Sequence, residues 1–489
     1  MKNNLENGLW GMFWMGGMTV ANFLIQLVIT SFLARLLSPS DYGEVAALTV
    51  LIGLADIFWM MGVGPGIVQK NEITDEDIST GQNLNILFGI IVFAIINIFA
   101  DGFARLFSIY NISMLRIFSL IFIINSMYSV PQSLLQRACN FKMLAITKTL
   151  SIVVYGIVAI FLGFRGCGPW ALMMGTMAQN LICMIIFLIT AHIKFSIGIN
   201  KKSAKELLFF GSGYTIAKLF SYIANNGDNF VINKTLGKSL LGNYTKAYQL
   251  LMYPVTLLGD TLDQVLFPIL SREQSNNFQL KRAFLYGTNM IALLSAPICI
   301  VAYWAAEDLV LFFLGSQWNN VILPFRIMII GLFFRIGYKL SDSLVIAIGK
   351  VYKRAYRQII YAILVVVGAY IGHYKGLPGV ALGVTIAFTI NYFTMTSLSM
   401  RSINVSIIEL ARNLSPVIMN GVMCFYIVHW IIDFLGKTQN YFLNCVIITL
   451  ITFILYFSSY VVIIRRLMEI EFNEFMKEIF QMIKRKFIH

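Results

Sequence analysis

The chain has 489 residues, of which 58% are hydrophobic and only 12% charged, with a formal net charge of +14. Soluble domains carry about 25% charged residues, so a water-covered globular surface is excluded. The basic excess is spread over many short segments rather than gathered on one face, which argues against a nucleic-acid surface.

From the N-terminus onward, apolar runs of spanning length recur, "FWMGGMTVANFLIQLVITSFL" and "ALMMGTMAQNLICMIIFLITA" among them. Runs of about 20 apolar residues cross a bilayer as helices, because lipid offers no partner to an unpaired backbone group. The hydropathy criterion predicts about 14 spans. They fall at 9–35, 41–63, 80–101, 112–135, 143–164, 169–192, 206–234, 240–268, 283–304, 321–348, 355–373, 377–398, 411–433 and 442–464. "EDLVLFFLG", between the ninth and tenth, reads as interfacial. The first run is too long for a cleaved signal peptide, and no small-residue cleavage site closes it. The fold class is an all-α polytopic membrane protein.

Basic residues concentrate in alternate loops, at about 24 against 9, and place both termini in the cytoplasm. Lys201, Lys202, Lys205, Lys350, Lys353, Arg354 and Arg357 are on the inner side, whereas Arg165 and Lys375 are outside. The loop "KNEITDEDISTG" is acidic although it is assigned inside. Acidic residues weigh little in this rule. Within it, "TDED" reads as a capping box that starts the third span. The six cysteines have no paired spacing and the four histidines are scattered, so neither a disulfide framework nor a metal site is expected.

One frame occurs twice. "RLLSPSDYG" (35–43) returns as "KTLGKSLLG" (234–242), each joining two spans. Six spans separate the copies, so both face the same side. Repeats with an even helix count can be related by an axis along the membrane normal. Two six-helix halves of this kind enclose a cavity and suit alternating access. The other reading is a good turn used twice, with Ser capping the next helix and Gly serving a tight turn or close packing.

"FLARLLSPSDYGEVAALTVLIGLADIFWMMGVGPGIVQK", followed by "EITDEDISTGQNLNILFGI", resembles the first hairpin of polysaccharide flippases. "DNFVINKTLGKSLLGNYTKAYQL" and "LFPILSREQ" are similar to their second-half segments. These exporters, of the O-antigen, colanic acid and teichuronic acid type, belong to the multidrug/oligosaccharidyl-lipid/polysaccharide exporter superfamily. The resemblance implies two lobes, 1–200 and 201–400, with extra helices over 401–465 and a cytoplasmic tail over 466–489. It implies movement of an undecaprenyl-pyrophosphate-linked oligosaccharide across the bacterial inner membrane, and no enzyme activity. The expected partners are membrane lipids and a coupling proton or sodium ion, with a polysaccharide polymerase or glycosyltransferases alongside, and a monomeric state and no cofactor are expected.

Ionisable groups inside spans mark the path, since each is costly in lipid. In the seventh span Lys218, Tyr222, Asn225 and Asn229 share one helical stripe. In the tenth, Arg326 precedes a second stripe of Arg335, Lys339 and Asp342. Arg35 stands at the outer end of the first span. Arg and Lys can replace the hydration of a phosphate with charge-assisted hydrogen bonds. The bland alternative has Lys339 and Asp342 neutralising each other and Lys218 reaching for the interface. Asp56 and Asp228 are the candidate coupling carboxylates, with Asp260 and Asp263 in the eighth span of the same kind. Tyr222, Tyr244 and Tyr248 suit either sugar stacking or packing. The tail places Leu467, Ile470, Phe475, Ile479 and Ile483 on one amphipathic face.

Three other classes compete. A peptidoglycan-lipid flippase shares the anionic-cargo logic, and a drug or ion antiporter shares the superfamily. A membrane glycosyltransferase or polymerase would need a sizeable extramembrane loop with gathered catalytic groups, and neither a Walker A loop nor an HExxH motif occurs.

Overall fold

The computed structural model describes every residue except Met1, Asn71, Cys139, 192–197, 261–276, Lys437 and 468–489. Asp263, all of "LFPILSREQ" and the amphipathic tail beyond Leu467 therefore lie outside the described residues. Short connections apart, the described residues are helical, with no strand among them. Apolar composition over spanning lengths dictates this, because a helix satisfies its backbone within one segment.

The helices run α1 Lys2–Leu36, α2 Pro39–Met60, α3 Val63–Gln69, α4 Asp75–Ile98, α5 Ala100–Phe107 and α6 Ile112–Phe118. They continue as α7 Ile121–Arg137, α8 Phe141–Phe164, α9 Pro169–Ala191, α10 Lys201–Thr235 and α11 Lys238–Val255. After a π-helical turn at Thr256–Asp260 come α12 Asn277–Trp304, α13 Ala306–Phe313, α14 Asn319–Ile330 and α15 Leu332–Ala347. The last are α16 Val351–Gly372, α17 Gly376–Ile403, α18 Ile407–Leu435 and α19 Tyr441–Leu467. As far as it is described, each predicted span falls on a helix or a helix pair. "EDLVLFF" forms the separate short helix α13.

Among the described residues, nine stretches are long and apolar enough to cross a membrane, or ten if the bent pair α14–α15 counts as one span. That pair bends by 46° at Gly331. Lys353–Ile403, which holds most of α16 and all of α17, is counted as one stretch. The protein is a multi-pass membrane protein.

Local signals set the helix starts. Ser38 and Asp41 form a capping box at α2: the Ser38 N–H donates to Asp41 Oδ2 at 2.9 Å and the Asp41 N–H to Ser38 Oγ at 3.3 Å. Thr74 and Asp77 do the same at α4, at 3.1 and 3.2 Å, as "TDED" predicts. The Asn200 side chain caps α10 by accepting from Lys202 N at 2.9 Å and Ser203 N at 3.3 Å. Each such cap contributes about 1 kcal/mol to its helix. Pro254 near the end of α11 lacks the N–H the helix ladder needs, and the π-helical turn follows it.

The chain divides into two compact units. The first comprises Met1–Gln249, Phe313–Pro324 and Gln358–Val384. Its core joins α1, α8 and α9 through Ile29, Leu33, Ile152, Ala159 and Leu172. A second apolar cluster, Val63, Ile67, Val130 and Leu207, ties α3 and α7 to the start of α10. The other unit comprises Leu250–Phe312, Phe325–Arg357 and Thr385–His489. There α12 packs on α18 and α19 through Ile300, Cys424, Val428 and Tyr456.

Candidate functional site

In the first unit, α10 carries the polar stripe. It is long enough to span, yet it is absent from the stretches that meet the apolar criterion. Lys218 is half-buried, and its Nζ lies 3.0 Å from Met60 Sδ on α2. It is within electrostatic reach of Asp56, which accepts from the Trp59 indole N–H at 2.6 Å. Tyr222 donates to the backbone carbonyls of Val50 at 2.8 Å and Thr49 at 3.2 Å. Asp56, Lys218 and Tyr222 thus come together at the α2–α10 interface.

Further along α10, Asn225 is exposed and donates to Ser221 O at 2.7 Å. Asn229 Oδ1 is buried with no hydrogen-bond partner. Asp228 is 2% exposed and accepts the Tyr244 hydroxyl at 2.6 Å. Tyr244 is itself fully buried, so its ring is a packing group and its hydroxyl serves the carboxylate. Arg35 is exposed at the end of α1.

The twofold frame has a structural answer. The N-terminal turns of α2 and α11 meet backbone to backbone. A Cβ on Gly43 would stand 1.7 Å from Lys238 O, and one on Gly242 would stand 1.8 Å from Pro39 O. Only glycine allows this approach, so the frame's last position serves close packing. Lys238 Nζ and Glu44 pair across the contact at 3.3 Å.

In the second unit, the Arg326 guanidinium lies 5.9 Å from the Tyr303 ring centroid, and its Nε is buried with no partner. Arg335 is 7% exposed, with its guanidinium 4.6 Å from the Phe388 centroid. The Lys339 chain runs beside Gly259 in the π-helical turn. Asp342 does not pair with Lys339 as the bland alternative has it. Arg354 of α16 grips it with two prongs, Nε to Oδ1 at 2.5 Å and an Nη to Oδ2 at 2.9 Å. Spacing along one helix hid that partner, because Arg354 reads as an inner-loop charge.

Sequence reasoning also passed over Lys246, although a lysine between Tyr244 and Tyr248 inside a span is itself a signal. It passed over Asp308, a buried carboxylate of α13 that accepts from Asn444 Nδ2 at 2.8 Å. The acidic run of "EDLVLFF" was its available signal.

This arrangement of long apolar helices with cations and amides buried among them is that of a multi-pass membrane protein. The fold agrees: the inward closed structure of the lipid II flippase MurJ matches with a TM-score of 0.78 at 17% identity, over 93% of this chain and 99% of that one. The model of the family described as "Polysaccharide biosynthesis protein" matches residues 32–323, and the chain belongs to that family. The teichuronic acid biosynthesis protein TuaB of Bacillus subtilis is 24% identical, covering 70% of this chain and 71% of its own. The lipopolysaccharide biosynthesis protein WzxC of Escherichia coli is 22% identical, covering 80% and 81%. The chain thus belongs to a family of polysaccharide biosynthesis proteins and shares the fold of that flippase.

Proposed function

We propose that the protein carries an undecaprenyl-pyrophosphate-linked oligosaccharide across the bacterial inner membrane by alternating access between two lobes, 1–200 and 201–400. The observation that carries this reading is α10, a helix of spanning length whose Lys218 ammonium reaches Met60 of α2 within electrostatic reach of Asp56, and whose Asn229 Oδ1 is buried with no hydrogen-bond partner. Lys218, Arg326, Arg335 and Lys339 hold the anionic group of the cargo, with Arg35 near the outer mouth. Asn225 and Asn229 offer hydrogen bonds to sugar hydroxyls. Asp56 and Asp228 take up and release the coupling proton or sodium ion. Both termini are cytoplasmic, the protein acts as a monomer, and a polymerase or glycosyltransferases work beside it.

The test is flipping of a defined lipid-linked oligosaccharide in proteoliposomes, expressed per folded molecule. Lys218→Ala and Arg335→Ala each remove a charge-assisted contact of about 1.5–3 kcal/mol, more than tenfold in affinity. Arg335→Lys restores part of the rate, because charge survives and the fork does not. Normal rates for all four alanine variants of the basic residues end this reading. Preference for lipid II over the oligosaccharide would assign a peptidoglycan-precursor cargo instead. Labelling a cysteine at Lys375 from the cytoplasmic side would reverse the orientation.

A further inference from the structure

Lys246 lies one turn beyond Gly242 on α11 and is 5% exposed. Its ammonium sits 3.8 Å from the centroid of Tyr42 and 6.0 Å from that of Trp318, and it donates to Gln249 Oε1 at 3.1 Å. Among the described residues, no carboxylate is within ion-pair distance of it. The two rings meet edge to face at 5.3 Å. Trp318 is fully buried and fixed, its indole N–H donating to Ala34 O at 2.8 Å. Gln317 donates to Ala34 O and, at 3.2 Å, to Leu37 O. Tyr42 follows the capping box of α2 and precedes Gly43, so both walls of the ammonium's cage belong to the frame junction.

A buried ammonium loses its hydration. Ring quadrupoles and one neutral amide return only part of that loss. A methionine would fill the same space without the loss, so stability alone does not account for the charge. The sequence places Lys246 in the eighth span, 240–268, and an ionisable group kept in a span at such a cost marks a substrate or ion path.

We propose that Lys246 is a further binding residue for the anionic oxygens of the cargo. It is held against Tyr42 while α2 and α11 are in contact, and it turns to the cargo when they part. This rests on the transport reading above and adds a residue outside the four cations named there.

Full-length protein carrying Lys246→Met, Lys246→Gln or Lys246→Arg is tested for melting temperature, for flipping, and for binding of undecaprenyl-pyrophosphate-linked oligosaccharides, one neutral and one bearing a uronic acid. The neutral variants should keep the wild-type melting temperature and lose about tenfold or more in apparent affinity. Lys246→Arg should stay within about threefold of wild type, because its guanidinium also stacks on tyrosine. Loss with both cargoes assigns the pyrophosphate, and loss with the acidic cargo alone assigns the sugar. Wild-type binding and flipping of both cargoes by Lys246→Met overturns the proposal. So does failure of both neutral variants to fold while Lys246→Arg folds, since the charge is then structural. Wild-type protein that moves neither cargo fails the transport reading itself, a result no Lys246 variant can produce.

Discussion

The two ends of α2 are held in opposite ways. At its start, backbone meets backbone: Gly43 lies against Lys238 O and Gly242 against Pro39 O. Beyond its other end, after α3, the acidic loop is tied down by side chains. Lys70 Nζ reaches Asp77 and Glu206, both at 2.8 Å. Asn200 Nδ2 donates to Glu76 at 2.9 Å, and Asn83 Nδ2 to Gly198 O at 2.8 Å. Arg137 closes the end of α3 by donating to the carbonyls of Ile67 at 2.9 Å and Val68 at 3.2 Å. A backbone contact has no rotamers to adjust, so it holds or parts as a whole. A clasp of long side chains can open and re-form at little cost. The acidity of the loop thereby gains a reason, since its carboxylates cap α4 and anchor Lys70.

The contrast is sharpest in steric substitutions. Gly43→Ala and Gly242→Ala each put a methyl group into a carbonyl, an overpacking cost of about 1–3 kcal/mol or more. Melting of the purified protein should show a clear drop for each. Wild-type stability in either variant would break the contrast at its strong end. The cap at the clasp comes next: Thr74→Ala should cost about 1 kcal/mol, and Thr74→Ser almost nothing. An equal loss for both would mean that the hydroxyl is not what holds α4.

Smaller effects follow from the exposed ion pair. A double-mutant cycle of Lys70→Met with Glu206→Gln should give a coupling of about 0.2–1 kcal/mol. A coupling as large as the glycine effect would erase the distinction between the two ends. The smallest effect is a pH dependence. Hydrogen bonds to Asp77, then Glu206, hold the Lys70 ammonium above its ordinary value of 10.5. A raised lysine stabilises fully below that ordinary value and loses its contribution as pH rises through the folded value. The melting difference between wild type and Lys70→Met should be constant from about pH 6 to 9 and shrink at higher pH. Shrinkage toward acid pH instead would point to the carboxylates.

Much of the fold is legible from the chain alone, because lipid leaves the backbone few choices. An apolar run of spanning length has to be a helix, and a Ser or Thr with Asp three residues on starts one whatever surrounds it. The spans, the caps at Ser38 and Thr74 and the family resemblance of the hairpin frames are therefore local facts. Parts of the candidate site are local too: Lys218, Asn225 and Asn229 declare themselves by standing in a span. Partners are not local. That Asp342 belongs to Arg354, that Tyr244 serves Asp228, and that Gly43 meets the α11 turn depend on helices brought together from distant parts of the sequence. Periodicity along one helix says which residues share a face and nothing about what faces them. Only tertiary packing sets Lys246 on Tyr42 and Trp318, because dispersion, quadrupole and ion-pair forces act over a few ångströms of space and are blind to chain position.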